Sequence, residues 1–252
     1  MSSLPVFRPG GYRYIPAVFQ YSGGVAAEPG LTLERVTFER PLPLVEGFAR
    51  AEAIMRAAGR PTTAFAACEL RSPAPFTESG FRAFNEIYVG TLSAWGIFDG
   101  TTNPVARSNV CPGLAPPPEP SLYAFTFTRS AESGTRPTFV VAGSGEAAEG
   151  HANYRDHIIG LGDTSPAGIA EKARWVLGEM ERRLGLLGFG WRHTTGVQVY
   201  TVHDFHQVAG AGIAAAEAWR NGLTWQYCRP PIVDVEFEMD CRGLVVDRTD
   251  AG

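Results

Sequence analysis

The chain has 252 residues, a formal net charge of −4, 44% hydrophobic residues and 19% charged residues. That length suits one large domain or two of ordinary size, and the composition lets each half bury a core. A mildly acidic chain without a basic block offers no electrostatic footprint for nucleic acid or an anionic membrane, and no run approaches the ~18–20 apolar residues of a membrane span.

The first residues, MSSLPVFRPGGYRY, lack a basic start followed by an apolar stretch. They do not read as a secretory signal, and the expected location is cytoplasmic. Cys68, Cys111, Cys228 and Cys241 show no CxxC spacing and read as free thiols.

Residues 14–21 (YIPAVFQY) read as an early strand running into Ser22-Gly23-Gly24, and GVAAEPG reads as a turn. LTLERVTFER alternates as a strand. Pro43 opens a helix with Phe48, Ala51, Ile54, Met55 and Ala58 on one face. TTAFAACEL is a strand, FRAFNEIYVGTLSAW a helix, NPVARSNVC a short strand, GLAPPPEP a loop, and SLYAFTFT an alternating strand. Residues 130–137 (SAESGTRP) are short and polar and hold Gly and Pro, as a linker does. The expected domains are therefore 1–129 and 138–252.

In the second half, TFVVAG is a strand and residues 145–163 are irregular. Ser165-Pro166 is an N-cap and first-turn pair. Ile169, Ala173, Val176, Leu177, Met180, Leu184 and Leu187 form a helical stripe that Gly188 and Gly190 stop. TTGVQVYTV is a strand, VAGAGIAAAEAWRNG is helical, and PPIVDVEFEMDC is the closing strand. The two halves say the same thing: Thr62-Thr63 and Thr194-Thr195, 132 residues apart, each open a strand that follows a helix and precedes another. The pattern predicts an α+β (mixed α/β) fold from an internal duplication, with a cleft available between the copies.

Four places in the first copy carry a resemblance. They are Tyr21-Ser22-Gly23-Gly24, Phe81-x-x-Phe84-Asn85-x-x-Tyr88, Ala106-Arg107-Ser108-Asn109-Val110 and Leu122-Tyr123-Ala124-Phe125-Thr126. In the second copy the matching places are Ala142-Gly143, Asp204-Phe205 and Val235-Glu236-Phe237-Glu238. The chain resembles two tandem copies of the Rid/YjgF (reactive-intermediate deaminase) family. The resemblance implies two chorismate-mutase-like domains, each a mixed sheet with two helices packed on one face. It implies that Arg107 grips a substrate carboxylate and that Glu236 matches the family's water-positioning glutamate. Tyr123 stands where the first copy would carry that glutamate. The family's helix asparagine is Asn85 in the first copy and Ala209 in the second. Each copy is thus half-equipped. The stretch CRPPIVDVEFE also resembles the closing strand of the chorismatases, with one extra residue between Cys228 and Glu236.

Residue chemistry is consistent with these roles but leaves alternatives. The Arg107 fork can hold a carboxylate in two parallel bonds, or serve an ion pair between strands. Glu236 lies among Asp234, Glu238 and Asp240, and either takes a catalytic proton or belongs to a solvated face. Arg229, held by Pro230-Pro231, could supply the second copy's missing arginine or simply precede a turn. Ser22 and Ser144 end strands beside glycines, where backbone N–H groups reach anions or merely turn. Tyr123 is a hydrogen-bond donor or a strand aromatic. His203 and His206 lack a third ligand at a metal spacing, and Gly143-Ser144-Gly145 is too short for a dinucleotide loop.

The expected function is a cofactor-independent, metal-free deaminase of a small carboxylate-bearing enamine or imine, in a specialised catabolic or secondary-metabolite pathway. The expected catalytic residues are Arg107 and Glu236, with Ser22, Asn85, Tyr123, Arg229 and Cys228 binding substrate. A chorismatase-like enol-ether hydrolase and an inactive ligand-binding or scaffold protein are the alternatives. The resemblance implies a homo-oligomer, a trimer of tandem chains or a dimer, with no nucleic-acid or membrane partner.

Overall fold

The computed structural model describes residues 3–151, 153–214 and 216–251. The first half runs β1 (Val6–Phe7), β2 (Tyr12–Tyr14), β3 (Gly24–Ala27), β4 (Leu31–Pro43), α1 (Leu44–Ala57), β5 (Phe65–Arg71), α2 (Glu78–Ala94), β6 (Ala106–Pro112) and β7 (Ser121–Ser130). The second half runs β8 (Phe139–Gly145), α3 (Pro166–Leu187), β9 (Gly196–Tyr200) and the short α4 (His206–Val208), which continues as a π-helix over Ala209–Ile213. It closes with β10 (Thr224–Gln226), β11 (Cys228–Arg229), β12 (Glu238–Gly243) and β13 (Val246–Asp250).

Local chemistry accounts for the long helices. Ser165 Oγ accepts from Gly168 N at 3.1 Å, and Pro166 sits in the first turn of α3. All seven residues of its apolar stripe are buried. Gly188, at φ 86°, ends the helix in the left-handed conformation that glycine reaches without a Cβ penalty. On α1, Phe48, Ala51 and Met55 are buried, Ile54 is half-buried and Ala58 is exposed beyond the last turn.

The six-stranded sheet has the order β11-β6-β5-β7-β4-β13, and the seven-stranded sheet β1-β2-β3-β8-β12-β9-β10. Inside them one arrangement occurs twice, as β6-β5-β7-β4 and as β10-β9-β12-β8. In each the first pair is parallel and the next two are antiparallel. Thr62 opens a 3₁₀ turn before β5, and Thr194 closes one before β9. The tandem α+β organisation expected from the sequence is borne out by this repeated order.

The sheets do not part at residues 130–137. β3 pairs with β8, which brings the N-terminal strands into the second half's sheet, while β13 pairs in parallel with β4 of the first. Three local expectations need correction. Residues 24–27 are a buried strand and not a turn, because Val25 and Ala27 fill the space between the sheets and Ala26 packs on the opposite face, in the core that α3 covers. Residues 15–20 lie outside the named strands, after β2 has ended at Tyr14 before Pro16. Residues 231–237 are also irregular, so the closing strand starts at Glu238.

Helices α1 and α2 cover the outer face of the six-stranded sheet through Phe48, Met55, Phe81, Phe84 and Tyr88. Helix α3 covers the other sheet. The inner faces meet through polar groups as well as small apolar ones. Asp240 accepts from Ser108 Oγ at 2.6 Å, Tyr200 OH at 2.8 Å and Gln198 Nε2 at 3.0 Å. Glu69 is bonded by Arg35 Nε at 2.6 Å. Burial works against its ionisation, but the Arg35 guanidinium holds its carboxyl down at about 2.

Candidate active site

A cavity opens at one end of the seam between the sheets, walled by Arg107 and Asn109 of β6, Gly143 and Gly145 of β8, and Glu238 of β12. Phe81 of α2, Tyr21, Tyr154, Glu149, Pro231, Ile232 and Val235 close it. Both halves of the chain therefore build one site.

Arg107 is 3% exposed. Its Nη1 donates to Asn85 Oδ1 on α2. The rings of Tyr88, Tyr21, Phe81 and Phe84 lie 4.8, 5.1, 5.5 and 5.9 Å from its Cζ. Such rings attract a cation through their quadrupoles and keep water away. Among the described residues, no carboxylate lies within 4.0 Å of this guanidinium. A buried arginine with one neutral hydrogen bond and an open cavity in front of it has the chemistry to hold an anion in two parallel bonds.

Glu238 faces the same cavity and is 4% exposed. Burial and then the neighbouring Asp240 push its carboxyl well above the usual range, against the opposing pull of Arg107. It lies flat against β8 because residue 143 is glycine: a Cβ there would come within 2.2 Å of Glu238 Oε1. Its strand is aimed by a buried pair. Lys172 Nζ lies 3.2 Å from Glu146 Oε1, and both side chains are fully buried. The Glu146 carboxylate accepts from Glu236 N at 2.7 Å and Phe237 N at 2.9 Å, which pins the irregular segment just ahead of Glu238.

The expected residues divide among several places. Arg107 and Asn85 come together, Arg107 on the cavity wall and Asn85 behind it. Ser22 is buried, and its Oγ donates to Pro104 O at 2.9 Å, away from the cavity wall. Glu236 is not a wall of the cavity. Its Oε2 lies 2.8 Å from His203 Nε2 and 2.7 Å from Arg229 Nη1. Arg229 thus meets Glu236 rather than the cavity, and its strand pairs with β6 at Cys111, not with β9. Cys228 is buried beside Val110 and Tyr200, and burial pushes its thiol up. Tyr123 lies under Arg71, whose Cζ is 4.1 Å from the ring centre. The residues that pair with β9 where β6 pairs with β5 are Thr224, Trp225 and Gln226, so the second half has no arginine matching Arg107 in that strand.

Glu238 escaped the sequence reading because it looked like one more acid on a solvated face. Glu238 and Asp240 do share a face under period-two alternation, but that face is the seam between two sheets. The four cysteines are free and buried, as expected. Among the described residues, no group of three or more His, Cys, Asp and Glu could hold a metal, and no helix is long and apolar enough to cross a membrane.

A family model described as 2-aminomuconate deaminase CnbZ matches residues 4–248. A 2-amino-5-chloromuconate deaminase of Comamonas testosteroni is 52% identical over 246 residues, which cover 97% of this chain and 98% of that protein. Among solved structures, a chorismatase aligns over 88% of this chain and 77% of its own, at 11% identity and TM-score 0.46. The YjgF gene product of E. coli aligns over 46% of this chain and 84% of its own, at 14% identity and TM-score 0.31. With one family matched from residue 4 to residue 248, and half the residues shared with a full-length relative, the chain belongs to the 2-aminomuconate deaminase CnbZ family.

Proposed function

We propose that this chain hydrolyses the amine from a 2-aminomuconate-type substrate, an unsaturated 2-amino dicarboxylate, and releases ammonia. The observation that carries the reading is the pairing of an uncompensated, buried Arg107 with a buried Glu238, whose carboxyl burial pushes well above its ordinary range, across one cavity. Arg107 binds the carboxylate next to the amine-bearing carbon, which brings that carbon and its nitrogen to Glu238.

The steps balance on Glu238 alone. As an acid it protonates a carbon conjugated to the amine, the carbon–carbon π bond breaks, and the nitrogen lone pair forms the C=N bond. As a carboxylate it takes a proton from water while the water oxygen bonds to the C=N carbon and the π pair returns to nitrogen. It then protonates that nitrogen, the C–N bond breaks, and ammonia leaves with the pair. The hydroxyl proton returns to Glu238 as the carbonyl forms. A carboxyl whose proton affinity burial has raised above its ordinary range suits this alternation better than an exposed one. The imine carbon is electrophilic by itself, so the reading needs no cofactor.

The reading also carries a catabolic role in the cytoplasm, half-chains 1–129 and 138–252 joined by 130–137, and a homo-oligomer. The test is ammonia release from 2-aminomuconate and 2-amino-5-chloromuconate. Arg107→Ala and Glu238→Gln should each lower kcat/KM by at least ~100-fold, while Glu236→Gln, outside the cavity wall, should lower it far less. Full activity of Glu238→Gln would sink the assignment.

A further inference from the structure

The cavity holds a second carboxylate that the steps above do not use. Glu149, in the loop after β8, lines the cavity on one side and an outer pocket with Glu179, Arg182 and Arg183 on the other. Its Oε1 accepts from Tyr21 OH at 2.7 Å and from Arg183 Nη2 at 3.0 Å. Arg183 is buried and held from behind: its Nε donates to Glu179 Oε1 at 2.7 Å, and its Nη1 reaches Ala142 O at 3.3 Å. Arg182 engages both oxygens of Glu179. The four charges balance, and among the described residues Glu149 Oε2 has no donor. The side chain keeps 18% of its exposure and lines the cavity, while the bonds to Oε1 hold the carboxylate in place.

Tyr21 spans the interval between this carboxylate and the anion site. Its ring centre is 5.1 Å from Arg107 Cζ, and its hydroxyl is on Glu149. A cation for a carboxylate and an anion for an amine thus stand one tyrosine apart in a single cavity. An amine on the carbon next to a carboxylate presents that complementary pair.

We propose that Glu149 is the amine-recognition residue of this cavity, with Oε2 accepting an N–H of the substrate's amino group. The proposal rests on the deaminase reading and adds to it. When Glu238 protonates the conjugated carbon, positive charge appears on nitrogen as the C=N bond forms. Glu149 stabilises that charge without making a bond to it, and the charge is removed when water adds and the π pair returns to nitrogen. A 2-oxo group has no N–H to offer and turns its lone pairs toward the same carboxylate. The site therefore selects the amino substrate over its 2-oxo counterpart, and it favours product release.

The test uses the full chain with Glu149→Gln, Glu149→Asp, Tyr21→Phe and Arg107→Ala. It reads kcat and KM for 2-aminomuconate and the inhibition constant of 2-oxoadipate, a stable 2-oxo dicarboxylate. Glu149→Gln should lower kcat/KM by ~100-fold or more while 2-oxoadipate binds as well as before or tighter. Glu149→Asp should recover part of the loss, and Tyr21→Phe should cost about tenfold, the equivalent of a hydrogen bond. Parallel weakening of substrate and 2-oxoadipate would reduce Glu149 to a structural role and overturn the proposal, as would undiminished kcat/KM in Glu149→Gln. If Glu149→Gln does not fold, the Asp and Tyr21→Phe variants decide on the same two readouts. If Arg107→Ala abolishes turnover and Glu149→Gln does not, only this inference fails. If both stay active, the deaminase reading of the cavity fails with it.

Discussion

Glu238 is a carboxyl group placed where ionisation is costly, and that cost has a measurable sign. Its proton affinity in the folded chain is raised by burial and by Asp240. Over pH values between its ordinary and its raised pKa, the folded state binds more protons than the unfolded one. Stability contributed by this group is then complete at low pH and is lost as pH rises through that window. Glu238→Gln removes the titration while keeping the shape, and the other raised carboxyls, Glu146 and Asp240, remain in both proteins. Thermal melts from pH 5 to pH 9 should show the variant gaining on the wild type as pH rises, at ~2–4 °C per kcal/mol for a chain of this size. A gap that is constant with pH would mean that Glu238 is ionised throughout and cannot start the reaction as an acid. The same residue marks how far the sequence could be read. Arg107 was legible because its neighbours Ala106, Ser108 and Val110 form a recognisable strand. Glu238 was not, because nothing local distinguishes an acid facing water from one facing a second sheet.

The elements that aim Glu238 hang on one buried ion pair. Lys172, on α3, donates to Ile159 O at 2.7 Å and Gly160 O at 3.0 Å as well as standing 3.2 Å from Glu146. Its three N–H bonds are thus satisfied, and Glu146 spends its other contacts on the backbone of Glu236 and Phe237. Removing one partner of such a pair leaves a buried charge unanswered, which costs ~3–5 kcal/mol. Lys172→Met should therefore lose about that much in urea denaturation, and Lys172→Met with Glu146→Gln should lose less than the single variant. Equal losses would show that the pair acts through its separate hydrogen bonds and not through charge. Helix α3 itself was fully legible, since Ser165, Pro166, Gly188 and the apolar stripe are local signals. The segment 231–237 misled because Val235 and Phe237 are buried, so that an irregular wall carries the apolar residues of a strand. β13 was missed for the opposite reason: Val246–Asp250 is polar and mostly exposed, and it is a strand only because β4 offers it an edge.

At the scale of the whole molecule, duplication was legible and exchange was not. The repeated order of strands follows from two similar stretches of sequence, whereas the crossing of β3 and β13 into the opposite sheets depends on contacts between residues far apart in the chain. The crossing binds the halves tightly. Arg35 and Asp247 meet at 2.8 Å, Arg50 and Asp250 at 2.8 Å, and Arg248 and Glu34 at 2.7 Å, each joining β13 to the first half. It also makes the site depend on both halves, since Arg107 comes from β6 and Glu238 from β12. A chain interrupted within residues 130–137 and produced as two co-expressed pieces should therefore assemble, co-purify and release ammonia. Either piece alone should be inactive, and it should aggregate because β4 or β8 would present an unpaired edge. Ammonia release by one piece alone would show that the working site lies within a single half, and it would remove the seam cavity from consideration.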